Sequence, residues 1–402
     1  MNGSEHILIT GARIVTEEEI LFPGALYVKD GKIALAGHQE EIEQKLKVWQ
    51  TSPEQILDAK GGWLLPGFID VHVHGGSGSD FMQANVQAFD EITVFHARHG
   101  TTAMLATTVT ASKDEISGVL KAVHAYMQTP MPGAQLLGVH LEGPFISPKW
   151  PGAQNPAHIV PPQKSWMEEW VAQYPGLIRI LTLAPEREGA LDLIEWATGR
   201  GILCACGHTD ATYEQMAEAL DRGLRHSVHA FNAMRPLHHR EPGTVGAVLA
   251  EERISTEIIA DGHHVHEACI RLLARVKNND HLLLVTDAIS AAGLGDGEYE
   301  LGGLPVIVEK GVARLKEGGS LAGSTLTMID AFRHIVNNVG LSIELASKMA
   351  SGNPAKLLGI YSRTGSIAAG KRADLLLASP GQSFEPWRVW AAGKTIYAKP
   401  GI

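Results

Sequence analysis

The stretch FIDVHVHGG, residues 68 to 76, places two histidines two positions apart at the end of an apolar run that stops at a pair of glycines. Side chains alternate between the two faces of a β-strand, so His72 and His74 are expected on one face and Val71 and Val73 on the other. Imidazole is the commonest transition-metal ligand, so the pair is a candidate metal-binding element. With 19 histidines in the chain, however, such a pair is also typical of a polar strand face. A metal site requires further ligands.

Seven more apolar or β-branched runs follow this one, and segments with helical periodicity lie between them. The eight predicted strands are Phe68–His74, Thr101–Thr108, Leu136–Leu141, Ile178–Ala184, Ile202–Gly207, His226–Phe231, Thr256–Ala260 and Leu282–Thr286. The helices predicted between them include Ala88–Arg98, Asp114–Met127, Ala190–Ala197, Tyr213–Asp221 and Glu267–Val276. Eight parallel strands covered by helices predict an α/β fold, a (β/α)8 TIM-like barrel, with its chemistry at the C-terminal ends of the strands.

The two ends of the chain have a different pattern of short alternating strands separated by turn residues. We expect residues 1–62 and 359–402 to form one small β-sandwich domain and residues 63–358 to form the barrel. Two helical segments, 326–338 and 342–358, are predicted to lead from the barrel to the tail. Residues 299–314 resemble a hairpin inserted after the eighth strand.

Polar residues stand where a barrel carries its chemistry, just after the predicted strands. Alone, Glu142 could cap a turn, His208 and Asp287 could lie at helix N-termini, and His229 could be a core histidine. Their joint occurrence at the same rim as the first two histidines favours a metal site. The candidate ligands are His72, His74, Glu142, His208, His229 and Asp287. Mixed nitrogen and carboxylate ligands suit Zn²⁺ or Fe²⁺ better than Mg²⁺.

Composition excludes several classes of partner. A chain of 402 residues with 45% hydrophobic content can bury a large core, and its net charge of -10 argues against binding nucleic acid or anionic membranes. Three cysteines are too few for a disulfide framework and suit a reducing compartment. The start of the chain lacks a basic leader, and no apolar run has the length of a membrane helix. We therefore expect a cytoplasmic, soluble protein.

Long motifs carry a family resemblance over nearly the whole chain. They are LPGFIDVHVHG, HGTTAMLATTVT, LGVHLEGPFISPKWPGAQNP, GHTDATY, HAFNAMRPLHHREPG, IADGHHVH, LVTDAISAAG, GSLAGSTLTM and AGKRADLLL. The sequence resembles the amidohydrolase superfamily and, within it, the deacetylases of amino-sugar phosphates. That resemblance implies hydrolysis of the acetamide of N-acetyl-D-glucosamine 6-phosphate to D-glucosamine 6-phosphate and acetate, with one or two divalent ions per subunit.

The resemblance also implies roles for individual residues. Glu142, His208 and His229 correspond to the ligands of the principal metal, and Asp287 to the residue that transfers a proton. Some relatives lack the His-x-His pair and hold one ion, so His72 and His74 imply a second ion, with Glu142 bridging the two. The implied substrate-binding residues are Ala153, Gln154, Asn232, Ala233, Arg240, His264, Leu321, Ala322 and Gly323.

For two of these substrate-binding positions, the resemblance has further implications. In the family, the arginine at position 240 contacts the substrate phosphate from a neighbouring subunit, which implies a homodimer. Some relatives have histidine where this chain has Gln154, near the acetamide carbonyl; an amide can still donate a hydrogen bond there.

Other functions remain compatible with the sequence. The metal centre could serve N-acetyl-D-galactosamine 6-phosphate, a cyclic amide or another small amide. A non-catalytic sugar-phosphate sensor that kept the barrel would be expected to lose a ligand or the aspartate, and here all are present. Structural metal sites usually use closed cysteine-rich shells, and Cys204 and Cys206 are better explained by packing.

Overall fold

The computed structural model describes residues 6–401, and in it the two ends of the chain form one small β domain. Its strands are β1 (Ile7–Val15), β2 (Ile20–Lys29), β3 (Lys32–His38), β4 (Gln55–Asp58), β5 (Trp63–Pro66), β17 (Leu375–Ala378), β18 (Pro386–Ala391) and β19 (Lys394–Ala398). They form one sheet in the order β19-β18-β17-β5-β1-β2-β3, while β4 pairs with the first part of β1.

This sheet curls until its distant strands enclose a common core. The backbone N–H of Ala373 donates to the carbonyl of Gly31, so the segment before β17 meets the turn between β2 and β3. Buried side chains such as Val28, Leu375 and Trp390 pack in one cluster between the layers. The expected sandwich of both chain ends is thus confirmed as two layers of one curled sheet.

The eight predicted barrel strands are present, and each lies parallel to the next. They are β6 (Phe68–Asp70), β7 (Thr101–Thr108), β8 (Gln135–Glu142), β9 (Ile178–Leu183), β10 (Leu203–Cys206), β11 (His226–Ser227), β12 (Ser255–Ile259) and β13 (Leu282–Val285). They pair in chain order from β6 to β13. Just beyond the first and last strands, the N–H of Asp287 donates to the carbonyl of His72 over 2.9 Å, which brings the two ends of the sheet together.

Helices follow the barrel strands and cover them. In chain order the helices are α1 (Gln39–Val48), which packs on the small domain, α2 (Val86–Arg98), α3 (Lys113–Tyr126), α4 (Lys164–Gln173), α5 (Ala190–Thr198), α6 (Tyr213–Asp221), α7 (Gly243–Ala250), α8 (Glu267–Val276), α9 (Met328–His334), α10 (Ile343–Ser347) and α11 (Asn353–Leu357). Ser112 and Thr212 begin α3 and α6 with capping boxes. The predicted helix over 326–338 continues from α9 into a π-helical turn, and a second π turn joins α10 to α11.

Three details differ from the sequence expectations. Residues 299–314 belong to a three-stranded antiparallel sheet of β14 (Gly297–Leu301), β15 (Leu304–Glu309) and β16 (Val312–Leu315), one strand more than a hairpin. The first barrel strand ends at Asp70 and the sixth at Ser227, both earlier than predicted. A short antiparallel pair, Gly75–Gly76 with Ser79–Asp80, follows the first strand.

The predicted domain boundaries at 62 and 358 stay predictions. Residue 62 precedes β5, which lies in the small-domain sheet, and residues 1–5 and 402 fall outside the described range. Between residues 6 and 401, no helix combines the length and the apolar character needed to cross a lipid bilayer.

Candidate metal centre

The six predicted ligands converge at the C-terminal end of the barrel, and Glu142 lies at their centre. Its Oε1 atom is 3.1 Å from Nε2 of His229 and 3.2 Å from Nε2 of His208. The same oxygen is 3.3 Å from Nε2 of His72. Three imidazoles from separate parts of the chain therefore face one carboxylate oxygen.

The second carboxylate oxygen of Glu142 faces a different neighbour. Glu142 Oε2 lies 3.3 Å from Nε2 of His74, and that nitrogen is 3.1 Å from Oδ1 of Asp287. Asp287 Oδ1 is also 3.6 Å from Nε2 of His72. The two oxygens of Glu142 thus face two groups of candidate ligands, as the oxygens of a bridging carboxylate would.

These distances fit metal ligation. Two ligand atoms about 2.1 Å from a tetrahedral ion lie about 3.4 Å apart, close to the spacings between Glu142 and the rings. The clusters that could hold an ion include His72 with Glu142 and His229, and His72 with His74 and Asp287. Both sets contain one carboxylate and two imidazoles, a donor set suited to Zn²⁺ or Fe²⁺.

The hydrogen bonds of the histidine Nδ1 atoms also support metal ligation through Nε2. Nδ1 of His208 lies 3.0 Å from the carbonyl of Trp150, and Nδ1 of His74 lies 3.3 Å from the carbonyl of Thr107. A carbonyl only accepts, so each Nδ1 carries a proton, and when the ring is neutral its Nε2 lone pair is free for an ion. Within the described residues, the buried Nε2 of His72 has no hydrogen-bond partner.

The charged groups of the cluster shift one another's pKa values. Burial alone would lower the pKa of His74, but hydrogen bonds to Asp287 and Glu142 raise it to about 10. Burial would raise the pKa of Glu142, but the imidazoles around it hold the pKa well below its usual range. The pKa of Asp287 is lowered in the same way, against burial, by His72 and His74. Two buried carboxylates therefore stay ionised and are stabilised by positive charge, from protons or from a bound cation.

Unusual backbone conformations position several of these residues. His208, His229 and Asp287 have φ values of 48°, 26° and 50°, in the left-handed region that non-glycine residues seldom occupy. Each such residue costs about 1–3 kcal/mol, and such strain clusters at functional sites. Here it lets the chain leave the strand direction at the rim, which aims the side chains at a common point.

Two buried groups behind the ligands were missed at the sequence level. Glu257 of β12 accepts from Nδ1 of His72 over 2.8 Å and from Nε2 of His226 over 2.9 Å. Asp70 accepts from the hydroxyl of Thr286 over 2.6 Å. The sequence did contain a signal for Glu257, because it is the only charged residue in the run Ser255–Ile259.

A cavity of about 450 Å³ opens above the cluster. The predicted residues that line it are His74, Glu142, Ala153, Gln154, His208, His229, Asn232, Ala233, His264, Asp287, Leu321 and Gly323. The side chain of Ala322 is fully buried in a different apolar cluster, with Ile289 and Leu301. Arg240 lies outside the cavity, in a separate pocket beside Tyr213 and Arg235.

Gln154 connects the cavity wall to the ligands. Its Nε2 donates to Oε2 of Glu142 over 2.7 Å, and its Oε1 accepts from the backbone N–H of Thr110 over 2.6 Å. A backbone N–H only donates, so the amide orientation is determined by its two partners.

Imidazole and cationic side chains also line the cavity. Nδ1 of His264 donates to Asp261 over 2.6 Å, and the same carboxylate accepts from the backbone N–H of His264. Lys149, which sequence analysis did not select, also lines the cavity and pairs with Asp210 over 2.9 Å. The cavity therefore contains side chains that can contact an anionic group.

Comparisons with known proteins agree with this geometry. The chain is 40% identical to the N-acetylglucosamine-6-phosphate deacetylase of Bacillus subtilis (strain 168), over 94% of each chain. It is 37% identical to the N-acetylgalactosamine-6-phosphate deacetylase of Escherichia coli O157:H7, over 97% of this chain and 98% of the other.

A solved mutant of N-acetyl-D-glucosamine-6-phosphate deacetylase from Mycobacterium smegmatis, in complex with N-acetyl-D-glucosamine-6-phosphate, superposes with a TM-score of 0.89. It is 33% identical and covers 98% of this chain and 99% of its own. The amidohydrolase family model matches residues 63–396. The chain belongs to the amidohydrolase family.

Proposed function

We propose that this chain is a divalent-metal-dependent deacetylase that hydrolyses the acetamide of N-acetyl-D-glucosamine 6-phosphate to D-glucosamine 6-phosphate and acetate. The observation that carries the proposal is the convergence of four imidazole Nε2 atoms on the two oxygens of Glu142 at the floor of a cavity. A relative with 40% identity over 94% of the chain bears that enzyme name. The proposed ions are Zn²⁺ or Fe²⁺, one or two per subunit.

The proposed ligands divide between two positions. Glu142, His208 and His229 would hold the principal ion, and His72 with His74 would hold a second ion. A bound ion polarises the amide carbonyl and lowers the pKa of a coordinated water from about 15.7 to about 7. The protein itself must then move a proton and hold the substrate.

Asp287 is the proposed proton carrier. It lines the cavity beside the ligands, and its pKa is held below the usual range, so it is ionised and able to accept a proton. We propose that it takes the proton from the attacking water and delivers it to the amide nitrogen as the C–N bond breaks. Without that proton, the amine would leave as an unstable anion.

The remaining cavity residues are proposed to hold the sugar phosphate. Gln154, Asn232 with Ala233, and Leu321 with Gly323 line the cavity where the amide and the ring would lie. Ala153 lines it as well, and Ala322 packs behind this segment.

His264 lines the same cavity and would contact the phosphate. The guanidinium of Arg240 suits bidentate phosphate binding. Because Arg240 lies outside this cavity in its own chain, its proposed contact requires a neighbouring subunit, and hence a homodimer. The buried free thiols of Cys204 and Cys206 are compatible with a proposed cytoplasmic location.

A second candidate substrate is N-acetyl-D-galactosamine 6-phosphate. It is favoured by the 37% identity to a relative named for that activity, which extends over 97% of this chain. The two sugars differ only in the orientation of one hydroxyl group, so both are to be tested.

The experiment is acetate release by protein loaded with Zn²⁺ or Fe²⁺, assayed on both phosphorylated sugars and on unphosphorylated N-acetylglucosamine. Elemental analysis of the same sample measures ions per chain. We expect the highest kcat/KM on N-acetyl-D-glucosamine 6-phosphate and loss of activity on chelation. Absence of acetate release from both phosphorylated sugars by metal-loaded protein would refute the proposal.

A further inference from the structure

Glu257 is a fully buried carboxylate to which the proposed chemistry assigns no role. It lies on β12 inside the barrel, beneath the cluster of ligands, and its side chain has no solvent exposure. One oxygen accepts from Nδ1 of His72 over 2.8 Å and from the backbone N–H of His229 over 3.3 Å. The other accepts from Nε2 of His226 over 2.9 Å. A single carboxylate thus contacts the chain at two proposed metal ligands.

An ionised carboxylate accepts hydrogen bonds and cannot donate them. Glu257 therefore requires His72 to carry its proton on Nδ1, and a neutral ring then directs the Nε2 lone pair towards Glu142 and Asp287. The opposite tautomer would place a proton on Nε2, where a metal ion would otherwise bind. Negative charge at Nδ1 also makes the imidazole a stronger ligand.

We propose that Glu257 is a positioning residue that determines whether the His72–His74 position holds a metal ion. This inference rests on the proposed function, because it assumes that the cluster binds metal. It assigns control over the number of ions in the centre to one buried residue that does not line the substrate cavity.

The sharpest variant is Glu257→Gln, which removes the charge and nearly preserves the shape. Its amide can accept from His72, provided that it donates to His226. His226 would then carry its proton on Nδ1, which is buried without a partner in the described part of the chain, so this arrangement has a cost. The amide can also turn round and donate to His72, at the loss of the hydrogen bond from the backbone N–H of His229, and this orientation selects the tautomer that blocks Nε2. The variant should therefore fold, but it no longer enforces the binding tautomer.

The matched control is Asp374→Asn in the small domain. Asp374 is also a buried carboxylate; it accepts from Thr364 over 2.6 Å, from Arg372 over 3.0 Å and from the backbone N–H of Ala392 over 2.7 Å, and none of these is a proposed ligand. This control loses a buried charge and its hydrogen bonds without a contact to any proposed ligand. His74→Asn supplies the reference for a protein that has lost the second ion.

The measurements are ions per chain by elemental analysis and Zn²⁺ affinity by competition with a chromophoric chelator. We expect two ions in the wild type and in Asp374→Asn. In Glu257→Gln we expect the Zn²⁺ affinity of the principal position to be unchanged. The affinity of the His72–His74 position should weaken tenfold to a hundredfold, towards the His74→Asn result. A purely structural role would weaken both affinities or neither.

Two results would overturn the inference and leave the proposed function standing. One is a folded Glu257→Gln protein that binds both ions with wild-type affinity, and the other is an active wild type that holds one ion when metal-replete. A wild type with neither metal nor activity would instead refute the proposed function.

A second measurement needs no folded Glu257 variant. In wild-type protein labelled with ¹⁵N-histidine and loaded with Zn²⁺, His72 should show a protonated Nδ1 and an Nε2 shift that depends on metal. The signal is assigned by its loss in His72→Gln. A protonated Nε2 on His72 in the loaded protein would overturn the inference.

Discussion

Replacing Gly323 by alanine tests how tightly the segment after β16 is packed against Asp287. Gly323 has a φ of +53°, and a Cβ added there would lie 2.5 Å from Cγ2 of Ile289 and 2.8 Å from the carbonyl oxygen of Asp287. That carbonyl already accepts from the N–H of Ser324 over 2.8 Å, so the backbone of the proposed proton carrier, just after β13, is held in place.

The magnitude follows from two separate costs. A left-handed conformation costs an alanine about 1–2 kcal/mol, and a close contact with a fixed carbonyl and a buried isoleucine costs about 1–3 kcal/mol more. Gly319 provides a matched control, because its φ is +69° and a Cβ there would meet no heavy atom within 4 Å. Gly319→Ala therefore incurs the first cost alone.

The assay compares kcat for acetate release and the midpoint of urea unfolding in the two variants. The added methyl group must displace Asp287 by several tenths of an ångström, and a displacement of about 1 Å can cost about 100-fold in rate. We expect kcat to fall about tenfold in Gly323→Ala and to stay near wild type in Gly319→Ala, with ion content unchanged in both. Equal rates and equal unfolding midpoints in the two alanine variants would refute the packing argument.

Three further changes test other parts of the site. Asp287→Asn should keep the metal content and reduce kcat by about 10²–10⁴; retained turnover would exclude a proton-transfer role. Arg240→Ala should raise KM for the phosphorylated sugar more than for unphosphorylated N-acetylglucosamine, whereas equal changes would remove its phosphate assignment. Burial lowers the pKa of His96 to about 4. Between about pH 6.5 and pH 4, His96 therefore binds a proton in the unfolded chain but not in the folded chain. The free energy of unfolding falls as the pH falls through this window. In His96→Gln, the decrease in unfolding free energy between about pH 6.5 and pH 4 should be about 3 kcal/mol smaller than in the wild type. The measurement is the unfolding free energy as a function of pH, and parallel curves for the variant and the wild type would contradict the pKa argument.

The barrel was predictable because each strand is a short apolar run bounded by turn residues. Each of the eight runs overlaps an observed strand, in the predicted order, and six of them contain the whole strand. The strand ends were less predictable. The run through His74 stops pairing at Asp70, because beyond that residue the chain turns to hydrogen-bond with the segment that follows β13. His72 and His74 still face Glu142, although their rings are inclined at 73°.

The residues behind the ligands could not be predicted from local pattern. Glu257 is 185 positions from His72 and 31 from His226 in the chain, and periodicity within a strand cannot identify partners on other strands. The interior of a closed barrel brings such residues together only after every strand is in register. A lone charge inside an apolar run was the available signal, and it indicates a buried partner without identifying it.

Gln154 shows how the surroundings decide what a side chain can do. The sequence suggested that its amide could donate to the acetamide carbonyl, as a histidine would. In the fold, its oxygen accepts from Thr110 and one N–H donates to Glu142, so the amide has one N–H left for any other acceptor. A neutral imidazole has a single N–H and could not serve Glu142 and a substrate carbonyl together. An amide at this position can therefore donate to the oxygen of Glu142 nearest His74 and still offer an N–H to a substrate, which would link substrate placement to the proposed second metal position.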